Sequence, residues 1–162
     1  MGICSYELRQ FVVIPTLSKL GICSVAAENL LLGTAAAQSD MGFHLNDTTH
    51  LGVYGIDSDT HRKIWDEYLA FDSELASTIR GFASQHEFLK NPDFELATNL
   101  MYATAIAWMI YQRANTQLPH ANDVTALARC WYDAFGQYAP NSSVDNFINQ
   151  YHLVSGSTRE AA

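Results

Sequence analysis

The sequence predicts a mostly α, single-domain protein of about seven helices, interrupted once by a small irregular or β lobe. Three observations point there. Apolar residues recur at helical spacing through most of the chain, between Ser, Asp and Asn residues suited to capping helices. One stretch, Ser39 to Ile56, breaks the pattern with Gly42, Asn46, Asp47, Gly52 and Gly55. Hydrophobic residues make up 48% of the 162 positions, enough for one core in a chain of single-domain length.

The first predicted helix runs from Ser5 to Leu20, carrying Leu8, Phe11, Val12 and Leu17, with a kink or break near Pro15 and Gly21 as its closing residue. Ser24 caps the next, Val25 to Gln38, which is apolar on nearly all sides and so belongs in the middle of the domain. The lobe follows, with Leu51 to Ile56 as a short strand. Asp59 is the expected cap of a helix bearing Ile64, Trp65, Tyr68 and Leu69, and Asp72 of one bearing Leu75, Ile79 and Phe82. Asn91-Pro92 is a start signal for a long apolar helix, Phe94 to about Tyr111. Asn122 or Asp123 begins a helix through Leu127, Trp131 and Phe135, and Ser143 begins the last, with Phe147, Ile148 and Tyr151. The small, polar tail from Ser155 to Ala162 reads as loose.

Charge excludes several functions. Nine Lys and Arg against 17 Asp and Glu give a net charge of −8, the opposite of a phosphate-binding footprint, so no nucleic-acid partner is expected. No apolar run approaches the ~20 residues of a membrane span. Met1 to Glu7 lacks a basic segment followed by an apolar one, so the reading is a protein without a signal peptide, made in a cytoplasm. Only 16% of residues are charged, which leaves a neutral surface of the kind that meets partners. Cys4, Cys23 and Cys130 are odd in number and widely spaced, which argues against a disulfide framework, and Cys130 reads as a small core hydrophobe.

The segment Leu31-Leu32-Gly33-Thr34-Ala35-Ala36-Ala37-Gln38-Ser39-Asp40-Met41-Gly42, followed by Gly52-Val53-Tyr54-Gly55-Ile56 and by the helix Asn99 to Ala107, resembles the lysozyme-like lytic transglycosylases. The run Ala27 to Ala35 is similar to the phage-borne members of that family. The resemblance covers about Leu8 to Tyr151 and implies a lysozyme-like α+β domain with a peptidoglycan cleft between the apolar helix and the lobe. It implies that Gly52, Tyr54 and Gly55 border that cleft as substrate-binding positions, with Tyr54 stacking on a sugar or filling space.

The chain departs from the family at two cleft positions. Gln38 stands where the family carries its catalytic Glu, and Gly55 where it carries Gln before the last Ile of the strand. Cleaving a glycosidic bond needs a carboxylic acid that first donates and then accepts a proton, and an amide does neither. Such a change removes about 10²–10⁴ of acid–base catalysis. Substitute carboxylates are few. Glu28 lies about 15 Å upstream along the helix. Asp40 lies two residues on, and Asp57, the best substitute, reads with Ser58 and Asp59 as helix capping. Ser39 has no His at motif spacing and no G-x-S-x-G around it. No catalytic residue is therefore intact, and two losses together imply natural decay rather than an engineered inactivation.

His44, Asp47 and His50, spaced three and three, are the one candidate metal set, and the plain reading is loop residues, so no metal and no cofactor is expected. His61, His86, His120 and His152 read as surface or cap residues, and most aromatics as core. The resemblance and its departures imply a catalytically degenerate virion protein of a phage tail, baseplate or ejected core. Its expected partners are other phage structural proteins or copies of itself, with residual binding of peptidoglycan glycan strands. The alternative is an active peptidoglycan lytic transglycosylase that opens the host wall during infection, using Asp40 or Asp57.

Overall fold

The computed structural model describes residues 2–136 and 142–156, and it is mostly helical without a sheet. The helices are α1 (Ser5–Leu8), α2 (Ile14–Lys19), α3 (Val25–Ser39), α4 (Ser58–Glu67), α5 (Ser73–Phe82), α6 (Gln85–Lys90), α7 (Pro92–Thr98), α8 (Leu100–Arg113), α9 (Val124–Ala134) and α10 (Val144–Gly156). A π-helical segment, Arg9–Val13, joins α1 to α2, and a 3₁₀ turn, Leu69–Phe71, follows α4. Among the described residues no helix is long and apolar enough to cross a membrane.

α3 and α8 form the centre. Ten consecutive residues of α8, Tyr102 to Tyr111, are buried, as are 11 of the 15 residues of α3. Their apolar-all-round sequences leave no face fit for water, so other helices cover them. α9 and α10 pack on α3, while α4, α5 and α7 pack on α8. Two pairs of buried hydroxyls meet in this core, Tyr111 with Thr34 at 2.6 Å and Tyr54 with Thr104 at 2.9 Å.

Several expectations are corrected. The kink or break expected near Pro15 takes the form of a π-helical segment, Arg9–Val13, just before it, with no break in the helical run; the wider turn suits a ring that has no N–H to offer. The long helix from Phe94 to Tyr111 is two helices. Asn99 adopts an extended conformation, its side-chain oxygen caps the Tyr102 N–H, and its amide donates to the Phe82 carbonyl and the Glu95 carboxylate. That side chain competes with the helix for its own backbone and wins. The short helix α6, capped by Ser84, is an element that the stronger signals on either side conceal. Asp57, not Asp59, caps α4, and Asp59 instead pairs with Arg62 and Lys63.

The lobe takes its irregular form, and among the described residues no strand is seen in it. Leu51 makes only isolated bridges, to Asn46 and to Ile56, so the expected strand Leu51–Ile56 is a tight turn closing on itself. Asp40, Met41, Gly42, Gly52 and Gly55 all have positive φ, which strands do not tolerate. At the other end of the chain, α10 extends through Ser155 and Gly156, the first residues of the expected loose tail, and 157–162 lie outside the described residues.

Candidate functional site

The last turn of α3 and the turn after it form one wall of a groove of about 450 Å³. Gln38 and Ala37 come from α3, Gly52 and Gly55 from the Leu51–Ile56 turn, His44, Asp47 and His50 from the loop between them, and Trp131 and Asn146 from α9 and α10. The sequence dictates this meeting. α3 must end at Ser39 because Asp40 and Met41 both take left-handed backbone conformations, and the chain reverses there.

Ser39 secures the reversal. Its buried hydroxyl donates to the Val53 carbonyl at 2.6 Å and accepts from the Gly42 N–H at 2.8 Å. It is a structural tie with no base beside it. Gly52 is held where a Cβ would stand 1.8 Å from the Leu96 carbonyl oxygen, so the turn rests directly on α7. Gly55 lies over Gln38, where a Cβ would be 3.2 Å from the Gln38 Cβ. Thus Gln38 and Gly55, the two departures from the family pattern, are neighbours in space.

The remaining candidate residues divide. Tyr54 is a correction: it is fully buried, with its hydroxyl on Thr104 and burial pushing its pKa up, so it offers no ring to a sugar. Asp57 is half-buried and borders the groove's continuation, but both its oxygens are engaged by Thr60, from the backbone N–H at 2.8 Å and the hydroxyl at 2.7 Å. Asp40 is an exposed helix end. Glu28 pairs with Arg9 at 2.7 Å, away from the groove. His44, Asp47 and His50 share the groove wall, yet among the described residues no three such side chains are placed to hold a metal ion.

Beyond Gln38 and Gly55 the groove narrows past Ile56 and Thr60, then widens into a second region of about 680 Å³. His50, Asp57 and Thr60 border both the narrow part and the wider one. The character changes along the way. Apart from Asp47, the polar wall of the first region is amide, imidazole and hydroxyl, whereas Asp59, Lys63, Glu67, Arg113 and Asp133 line the second. The Arg113 and Glu67 side chains pair across it.

Trp131 and Asn146 are not legible in the sequence as groove residues. Trp131 sits at helical spacing and is 1% exposed, which is how a core aromatic reads. Its indole Nε1–H is nonetheless buried without a hydrogen-bond partner among the described residues, an uncommon state for a tryptophan. Cys130, expected in the core, is only partly buried, its thiol near the Gln117 carbonyl and its pKa raised by burial. His61 is a larger correction. It is 2% exposed, bound on both ring nitrogens, and belongs to the interior rather than the surface.

Compared with known proteins, the chain matches no family model, no curated protein and no solved structure.

Proposed function

We propose that the protein is a non-cleaving, glycan-binding building block of a phage particle, built on a lysozyme-like domain whose catalytic acid has been lost. One observation carries the reading: Gln38, an amide, ends α3 on the groove wall and is packed against Gly55. The nearby acids are engaged elsewhere. Asp57 is occupied in capping, Asp47 accepts the N–H of Thr48 on the facing loop, and Asp40 closes α3 on the outside. A site that must give and take a proton needs a carboxyl group free to do both.

Binding is supported by what the groove offers. Amides and imidazoles around an open volume suit the hydroxyl and acetamido groups of a sugar chain, which are donors and acceptors. The virion assignment, with other structural proteins or a second copy as partners, rests on the Ala27–Ala35 run and its likeness to phage-borne members.

The test has two arms. Titration of chitin oligomers and of soluble peptidoglycan fragments by calorimetry should give saturable binding. Incubation with purified peptidoglycan should release no anhydro-muropeptides detectable by mass spectrometry. Anhydro-muropeptide release by the unaltered protein replaces this reading with that of an active transglycosylase, and absence of any binding removes the glycan part of it.

A further inference from the structure

We propose that the interior hydrogen-bond chain Trp65–Tyr102–His61–Asp93 is an acid-sensitive latch, holding α4 and α7 on α8 near neutral pH and releasing them when His61 takes a second ring proton. The chain has a direction fixed by its chemistry. An indole can only donate, so Trp65 Nε1–H gives its hydrogen to the Tyr102 oxygen at 2.9 Å. The single hydroxyl hydrogen of Tyr102 then goes to His61 Nε2 at 2.6 Å. Nε2 is therefore the bare nitrogen, and Nδ1–H donates to Asp93 Oδ1 at 2.7 Å. Every hydrogen has one place, and four side chains on three helices are joined.

A proton added to Nε2 points at the Tyr102 oxygen. The Tyr102 hydroxyl must then turn its own hydrogen away while two donors converge on it. Tyr102 is fully buried, and no other acceptor for that hydrogen is found among the described residues. The charged ring is thus opposed both by burial and by the geometry of its neighbour.

The surrounding charges do not reverse this. Asp93, on α7, favours the imidazolium, but burial outweighs it and holds the His61 pKa below the ordinary imidazole value. Glu95, also on α7, is engaged by the Ser84 N–H and the Asn99 amide. Arg80, on α5, lies over the Phe88 ring at 4.2 Å, and that ring packs on Tyr102 and Trp65. The Tyr102 pKa is raised, chiefly by burial, so its hydroxyl keeps its hydrogen throughout.

The sign follows from the direction of the His61 shift. The unfolded or opened chain takes the proton first as pH falls, because its imidazole has the ordinary value of about 6.5. The latch is therefore fully closed above about pH 6.5 and weakens as pH falls from there toward the folded-state pKa.

The test uses the full chain. Imidazole resonances of its six histidines are titrated by NMR, and amide exchange is followed by mass spectrometry at about pH 7 and about pH 5, corrected for intrinsic rates. His61 should titrate below the exposed histidines. Opening of α4 and α7 should be greater at the lower pH, while α3 and α10 stay protected. In His61→Gln that pH dependence should vanish. In Tyr102→Phe the neutral ring loses its donor and the charged ring its acceptor, so the His61 titration should shift from its position in the unaltered protein. Titration of His61 together with the exposed histidines overturns the proposal. So does acid opening of α4 and α7 that persists in His61→Gln. Should that variant not fold, an unmoved His61 titration in Tyr102→Phe overturns it alone.

Discussion

The groove beside Gln38 and the chain beside His61 treat polar side chains in opposite ways. Around His61 each donor has an acceptor within 2.9 Å, and His61 and Tyr102 are buried. Along the groove, amides and imidazoles border open volume, and one indole N–H has no acceptor among the described residues. Polar groups satisfied inside a protein specify its structure, whereas polar groups facing open space are satisfied by what enters. The chain beside His61 is thus where we propose a response to pH, and the groove where we propose a ligand.

The sharpest way to break that division is to give the groove back a titratable group. Gln38→Glu places a carboxyl group, half-buried against Gly55, where the proposed lysozyme-like reading puts the catalytic acid. If the cleft is otherwise intact, anhydro-muropeptide release should rise by about 10²–10⁴ over the unaltered protein. Mass spectrometry of digested peptidoglycan measures it. Unchanged release, with binding retained, shows that the Gly55 change or the surrounding wall is also insufficient for catalysis.

The next largest effect falls on the turn that joins the two regions. Gly52 has positive φ and lies against the Leu96 carbonyl, which belongs to the same α7 that carries Asp93. Gly52→Ala should destabilise by about 2–4 kcal/mol, from backbone strain and a clash with main chain that cannot move aside. Urea unfolding measures it. A change under about 1 kcal/mol means that the turn can lift off α7 without cost to the core.

Asp57 separates structure from chemistry at the border of the groove. Asp57→Ala should cost about 1 kcal/mol through the lost cap, and Asp57→Asn, which still caps, only a few tenths. Glycan affinity should be the same in both. A large loss of affinity or of residual cleavage in Asp57→Asn would mean that the carboxylate itself acts in the groove.

How much of this is legible in the sequence depends on whether the signal is local. Ser24, Asp72, Asp123 and Ser143 are readable as caps because an N-cap needs only its own side chain and the next turn. The apolar faces of α3 and α8 are readable for the same reason. The break at Asn99 is hidden by the apolar run that continues across it, since its cause is a set of contacts with Phe82 and Glu95. The expected strand fails because alternation suggests extension, while the two glycines that flank Val53 and Tyr54 close the segment into a turn. In the site, Gln38, Gly52 and Gly55 are legible through a sequence pattern. Trp131 and Asn146 are not, since only tertiary packing brings α9 and α10 to the end of α3. His61 reads as a surface residue because nothing adjacent in sequence announces a partner 32 residues away.

Trp131 gives the smallest and most discriminating effect. Its N–H has no acceptor among the described residues, so removing it breaks no bond there. Trp131→Phe keeps an aromatic ring against Phe147, and its stability cost comes only from lost ring volume. The N–H is buried, so a sugar can supply the missing acceptor only if the wall opens on binding; in that case the same substitution should weaken glycan affinity about fivefold, the value of one neutral hydrogen bond of about 1 kcal/mol. Calorimetric titration of the two proteins with one chitin oligomer decides it. Equal affinities would return Trp131 to the core, an unsatisfied donor with no ligand to serve, and leave the amides of Gln38, Asn46 and Asn146 to account for recognition. A fivefold loss would instead place one of the groove's donors in the wall that sequence reading assigns wholly to packing.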